Sequence, residues 1–337
     1  MKVKILPPIV LSLIITTILT PCNGMEDAQI SPDPFVNRIN ELTGLKLTPK
    51  KFTSELKGYN LPPFSPAQGN RNHFDDRPEG SFTRIESLVM HYTVCNTPET
   101  LDLFTKNIPD GRVSASYVIT ETDDALGISG GQVIRMMPDD ERAWHAGVSS
   151  WRGINNLNGT SIGIENVNKG FTDSPGQARV WYPFDPAQIH SLGLLSQAIV
   201  RKHNIPPMYV VGHADIAPGR KQDPGILFPW GELYSTYGVG AWLGDEEQSV
   251  EAVAKTYSPK ELPPRDVNIE FLSTQLQEYG YKIEPTSKPD EHFLNVLKAF
   301  KSHFSCNQKP EEYDSQPNEN DVRWIWSLNA KYPPREQ

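Results

Sequence analysis

Between residues 85 and 212 short apolar runs alternate with helical stretches, and this alternation constrains the fold more than any other feature of the chain. Ser87-Leu88-Val89-Met90-His91-Tyr92-Thr93-Val94 is apolar and β-branched enough to read as a buried strand. Residues 115–120, 132–137 and 161–167 repeat the pattern, each bounded by Gly, Asp or Pro. Residues 98–107 carry a helical pattern between the first two. A longer helix is predicted over 186–203, where Ile189, Leu192, Leu195 and Ile199 share one face and Pro186 suits the first turn. Residues 208–212 form a last strand leading into His213 and a loop rich in Gly and Pro. Strands alternating with helices predict an α/β domain over residues 85–245.

The flanks read differently. Residues 25–84 are rich in Pro and Asn and predict a short helix and an extended wrap. Beyond Asp245 the period is helical only. Leu272, Leu276 and Tyr279 make one stripe, ended by Gly280; Phe293, Val296, Leu297, Phe300 and Phe304 make a second; Val322, Ile325, Leu328 and Tyr332 make a third. Three amphipathic helices that each need a partner predict a small three-helix domain over 262–333, reached by a Pro-rich linker.

At the start, Lys2 and Lys4 precede an apolar run from Ile5 to Leu19, and the short segment Thr20 to Gly24 follows. That order predicts a secretory signal peptide over 1–24. About 15 apolar residues fall short of the roughly 20 needed to span a bilayer. Leu19-Thr20-Pro21-Cys22 has the outline of a lipobox, with Pro where Gly, Ala or Ser is usual. Cys22 is therefore either a lipid anchor or lost with a leader cut near Gly24. The expected location is the periplasm or cell envelope, with an outer-membrane lipoprotein as the anchored form. No later segment is long and apolar enough to cross a membrane.

Charge and cysteine narrow the chemistry. Lys plus Arg is 32 and Asp plus Glu is 41, a net charge of −9, which argues against a nucleic-acid partner. The three cysteines, Cys22, Cys95 and Cys306, include no CxxC pair, so a thiolate zinc cluster and a disulfide framework are both excluded. Any metal must be held by His and carboxylate. His91 and His213 each end a strand, and Asp223 follows ten residues later in the Gly/Pro-rich loop. Two histidines and a carboxylate would leave a zinc ion one open position for water, if those strands are neighbours. Glu165 on the fourth strand and Lys221 on the loop could face the same cleft. Taken singly, each histidine is more often a packed or surface residue than a ligand, Glu165 fits a sheet-edge carboxylate and Lys221 a solvated charge.

Five strings in order lift that reading: Val89-Met90-His91-Tyr92-Thr93, Ser116-Tyr117-Val118-Ile119, Ala143-Trp144-His145-Ala146-Gly147, Ser161-Ile162-Gly163-Ile164-Glu165, and the loop from Gly212 to Gly225. Together they resemble the zinc-dependent N-acetylmuramoyl-L-alanine amidases of the amidase_2 family. The peptidoglycan recognition proteins and phage T7-type lysozymes share that fold. The resemblance implies a mixed sheet flanked by helices and cleavage of the bond between muramic acid and L-alanine in peptidoglycan or muropeptides. It also implies zinc on His91, His213 and Asp223, Glu165 as general base and acid, Lys221 as oxyanion stabiliser, and Trp144 and His145 as substrate contacts. Tyr279-Gly280-Tyr281, residues 299–304 and residues 329–332 resemble the C-terminal peptidoglycan-binding domain of the exported members. Residues 169–184 are expected to form a cleft-rim loop, and no protein partner is implied. A binding-only receptor on the same fold and a zinc peptidase cutting within the stem are the competing readings. Receptors of this fold typically lack the third ligand, which here is Asp223.

Overall fold

The computed structural model describes residues 34–44, 65–66, 74–77, 84–106 and 113–333. The predicted leader and Cys22 lie outside the described residues. A mixed sheet runs in the order β1 (Ser65–Pro66), β5 (Val133–Arg135), β4 (Tyr117–Ile119), β9 (Ser161–Asn166), β3 (Ser87–Tyr92), β12 (Val210–Gly212). Strands β4, β9, β3 and β12 are parallel; β5 is antiparallel to β4. Short antiparallel pairs surround it: β2 (Phe74–Asp76) with β6 (Glu141–Ala143), β7 (Ser150–Trp151) with β8 (Ile154–Asn155), and β10 (Phe171–Thr172) with β11 (Val180–Trp181).

Alternation along the strands sorts the apolar residues onto two faces. Leu88, Met90, Ile162, Ile164, Tyr117 and Ile119 pack in one cluster with Leu192, Leu195 and Ile199 of helix α3 (Pro186–His203). Asp185 caps α3 by accepting from Ala187 N, Pro186 opens it, and Asn204 closes it in the left-handed conformation. Along the outer strands, Ile39 of α1 (Pro34–Thr43) packs with Leu101 and Phe104 of α2 (Thr97–Thr105) against Val118 and Ile134. Helix α2 begins one residue earlier than its apolar pattern suggests, because Asn96 and Glu99 form a reciprocal capping box. The last strand is shorter than expected. Pro206 and Pro207 hold residues 207–209 in a 3-10 turn, and pairing starts only at Val210.

The opposite face carries Val89 and Val211, and one buried cluster continues from them through Ala146, Trp151 and Leu243 into the C-terminal helices. Those helices are α7 (Ile269–Tyr279), α8 (Glu291–His303) and α9 (Glu319–Lys331), matching the three stripes. Trp151 is edge-on to Tyr279 and Tyr281, at centroid distances of 6.0 and 4.9 Å. Three helices between sheet and bundle interrupt the segment: α4 (His213–Ile216), α5 (Trp230–Tyr237) and α6 (Val250–Tyr257). Among the described residues no helix is long and apolar enough to cross a membrane.

Candidate metal centre

The parallel register sets His91 opposite Glu165 and Gly212 opposite Met90, so β3, β9 and β12 end at one edge of the sheet. Crevices beyond the carboxyl ends of parallel strands are where such sheets bind ligands. His213 is the first residue of α4, directly after β12, and Ala214 N donates to the Asp223 carbonyl at 2.8 Å. That bond folds the loop back and brings Asp223 beside both histidines. His91 Nδ1 lies 2.9 Å and His213 Nδ1 3.0 Å from Asp223 Oδ2, and the two Nδ1 atoms are 3.1 Å apart. All three residues are buried.

The outer nitrogens decide where the imidazole protons sit. Ser161 Oγ donates to the Leu157 carbonyl at 2.5 Å, so it accepts from His145 Nε2 at 3.1 Å. His145 Nδ1 is then the acceptor for His91 Nε2 at 3.0 Å, which leaves a lone pair on His91 Nδ1. His213 Nε2 donates to the Ala146 carbonyl at 3.1 Å, with the same result. Two imidazole lone pairs and a carboxylate oxygen thus crowd together with no proton between them. Two nitrogens and one oxygen suit a zinc ion with an open coordination position, and the residues present fit such an ion.

The electrostatics of His91 agree with that proton placement. Burial lowers His91 to about 4, helped by the charges of His213 and Lys221 and opposed by Asp223, so it is neutral at ordinary pH. Burial alone would raise Asp223; the charge of a protonated His213 and hydrogen bonds from His213 and His91 would hold it well below the usual carboxylate range when a proton lies between them. Burial, then the Asp223 charge, pushes Glu165 well above the usual range, with Lys221 opposing. Glu165 Oε2 is out of solvent and has no hydrogen-bond partner.

The remaining candidates fall in distinct places. Lys221 is exposed on the metal loop, two residues before Asp223. His145, expected to contact substrate, is 7% exposed, with its two nitrogens directed at His91 and Ser161. Trp144 is half-buried, with the Arg142 guanidinium 4.6 Å from its ring centroid. The β10–β11 hairpin occupies the segment expected at the rim, and Arg179 ties it to the metal loop by donating to Gln222 Oε1 at 2.6 Å. Burial raises the Cys95 thiol, which leaves it a poor thiolate.

Sequence reasoning missed Ser161, Arg220 and Asp215. Arg220 donates to the Ala146 and Val148 carbonyls at 2.8 and 2.7 Å. Asp215 accepts from Gly212 N at 2.7 Å, holding the start of α4. The only trace of the Ser161 role was Gly163, whose missing side chain makes room for His145.

Fold and site define an α/β protein with a two-histidine, one-carboxylate group at the ends of parallel strands. Residues 81–226 match the family model of N-acetylmuramoyl-L-alanine amidase (Amidase_2). AmiD of Escherichia coli strain K12 is 36% identical over 254 residues, 75% of this chain and 86% of that protein. The solved complex of E. coli AmiD with the substrate anhydro-N-acetylmuramic acid-L-Ala-D-gamma-Glu-L-Lys aligns with a TM-score of 0.60 at 32% identity, covering 78% of this chain and 99% of that one. AmpDh3 of Pseudomonas aeruginosa aligns with a TM-score of 0.61 at 35% identity, covering 76% and 94%. The chain belongs to the amidase_2 family of N-acetylmuramoyl-L-alanine amidases.

Proposed function

We propose that this chain is an exported, zinc-dependent amidase that cleaves the bond between the lactyl carbonyl of N-acetylmuramic acid and L-alanine in peptidoglycan fragments. The observation that carries the reading is the convergence of His91, His213 and Asp223 beside the unpartnered carboxyl of Glu165. The substrate class is supported by the muropeptide bound to the AmiD relative. The leader-like residues 1–24 support export to the envelope, and the C-terminal helices support wall attachment by their resemblance alone.

Zinc held by His91, His213 and Asp223 would supply Lewis acidity and a water acidic enough to lose a proton near neutral pH. Glu165 takes the proton of the attacking water as its oxygen bonds to the lactyl carbonyl carbon. A carboxyl held well above its usual range keeps that proton long enough to deliver it to the departing L-alanine nitrogen. The C–N bond then breaks and a peptide with a free amine leaves. Lys221 faces the developing oxyanion, where one such donor is worth about 3 kcal/mol. Asp223 stays ionised throughout and His91 stays neutral.

The test is mass analysis of products from defined muropeptides, with and without chelator, on wild type and Glu165→Gln. Chelator-sensitive release of peptides beginning with L-alanine is expected. Glu165→Gln should retain metal and lose about 10²–10⁴-fold in kcat. Cleavage within the stem would make the protein a peptidase, and binding without product would make it a receptor.

A further inference from the structure

A small cavity of about 160 Å³ opens beside the metal loop, at the junction with the C-terminal helices. Lys221 and Gln222 of the loop, Asn295 and Lys298 of α8, and Arg179 and Tyr313 are among the residues that line it. Helix α8 presses hard on the loop here. A Cβ on Gly219 would meet Asn295 Nδ2 at 2.7 Å, so α8 is fixed against the loop that carries Asp223.

The charge of this cavity is the reverse of the chain's. Acidic residues outnumber basic ones 41 to 32, yet three cations and no carboxylate line the space. The Arg179 charge is answered by Asp173, at 2.7 Å through both Nε and Nη2. Lys221 and Lys298 are exposed, and among the described residues neither ammonium makes a hydrogen bond or ion pair. Concave surfaces of one sign focus their field and collect opposite charge. Lys221 lines the cavity and precedes Asp223 by two residues, so the cavity adjoins the candidate metal centre.

We propose that this cavity is a carboxylate subsite in which Lys298, from the C-terminal helices, selects for the free α-carboxylate of a γ-linked glutamate next to the L-alanine released. The assignment rests on the amidase reading. In a stem of L-alanine and γ-linked glutamate that carboxylate lies one residue beyond the scissile amide, and two extended residues span at most about 7 Å. A lysine ammonium on a flexible stem suits a point contact with one carboxylate. Helices remote from the chemistry in sequence thereby become part of substrate choice.

The test compares N-acetylmuramoyl-L-alanyl-D-γ-glutamyl-L-lysine with its D-isoglutaminyl counterpart, in which the γ-carboxyl is tied up in the bond to lysine and only the glutamate α-carboxylate is replaced by an amide. In wild type kcat/KM should favour the carboxylate form about tenfold, the size of one charge-assisted hydrogen bond. In Lys298→Ala that ratio should fall close to one, and in Lys298→Arg it should return. Equal kcat/KM for the two forms in wild type, or an undiminished ratio in Lys298→Ala, overturns the subsite. Cleavage of neither form sinks the amidase reading. The subsite is then read from calorimetric binding of L-Ala-D-γ-Glu-L-Lys and its isoglutamine analogue to wild type and Lys298→Ala, where a preference independent of Lys298 overturns it.

Discussion

Gly163 carries no side chain, and the His145 imidazole fills the space above it; a Cβ there would lie 2.5 Å from His145 Cγ. The relay from Ser161 through His145 to His91 depends on that seat. Gly163→Ala should therefore shift His145 and release the outer nitrogen of His91, lowering metal affinity about 10–100-fold as outer-shell losses do. Chelator competition measures this, and an affinity equal to wild type would show that the relay does not position His91. At this scale legibility divides by mechanism. His91, Glu165 and His213 are visible in sequence because each is a polar residue in or directly after an apolar strand. Ser161 and Arg220 are not, because they act through other segments: Ser161 through the His145 ring 16 residues before it, and Arg220 on the Ala146 carbonyl across 74 residues.

Between elements, the strongest polar joint links α4 to the C-terminal helices. Asp215 is 2% exposed and accepts from Tyr281 Oη at 2.6 Å and His303 Nδ1 at 2.7 Å as well as from Gly212 N. The His303 ring lies flat between Trp230 and Phe304, at centroid distances of 3.7 and 3.8 Å. Tyr281→Phe leaves one buried acceptor short of a donor and should cost about 1–3 kcal/mol in urea unfolding. His303→Ala also removes the stacked ring and should cost more. A His303→Ala variant as stable as wild type would show that the joint contributes nothing. The three helices themselves were legible, since a stripe identifies the face that is buried. A stripe does not identify what covers it, and here the cover includes Val89, Ala146, Trp151 and Val211 of the sheet half.

Across the whole molecule, Asp139 fastens three regions at the far end of the sheet from the metal centre. Its carboxylate accepts from Tyr117 Oη at 2.6 Å and Lys202 Nζ at 2.8 Å, with Arg135 at 3.5 Å and His203 at 3.7 Å. Arg77, from the N-terminal wrap, donates to the Asp139 carbonyl and to those of Gly159 and Ser161, each at 2.9 Å. Burial would raise the Asp139 carboxyl, but His203, Lys202 and Tyr117 hold it well below its ordinary range. The unfolded chain therefore binds this proton first as pH falls. The stability it contributes is full above about pH 4 and is lost progressively on further acidification. Asp139→Asn should lower stability at neutral pH by about 3–5 kcal/mol and flatten its decline below pH 4, read by denaturant unfolding across pH. Parallel pH profiles for the two proteins would remove Asp139 from the acid response. None of this was visible in sequence, because the hub draws on segments up to 64 residues from Asp139 and its partners are ordinary surface residue types.

His91 and Asp223 stand 132 residues apart and meet only across a finished sheet. Closing a loop of that length costs chain entropy before any contact offsets it. The complete ligand set is consequently absent from the unfolded polypeptide, and on the proposed zinc reading an ion would find all three side chains together only in the folded sheet. Such an ion would stabilise the finished fold by binding it and not the unfolded chain. A chain that has not yet closed this sheet lacks the three-residue group altogether.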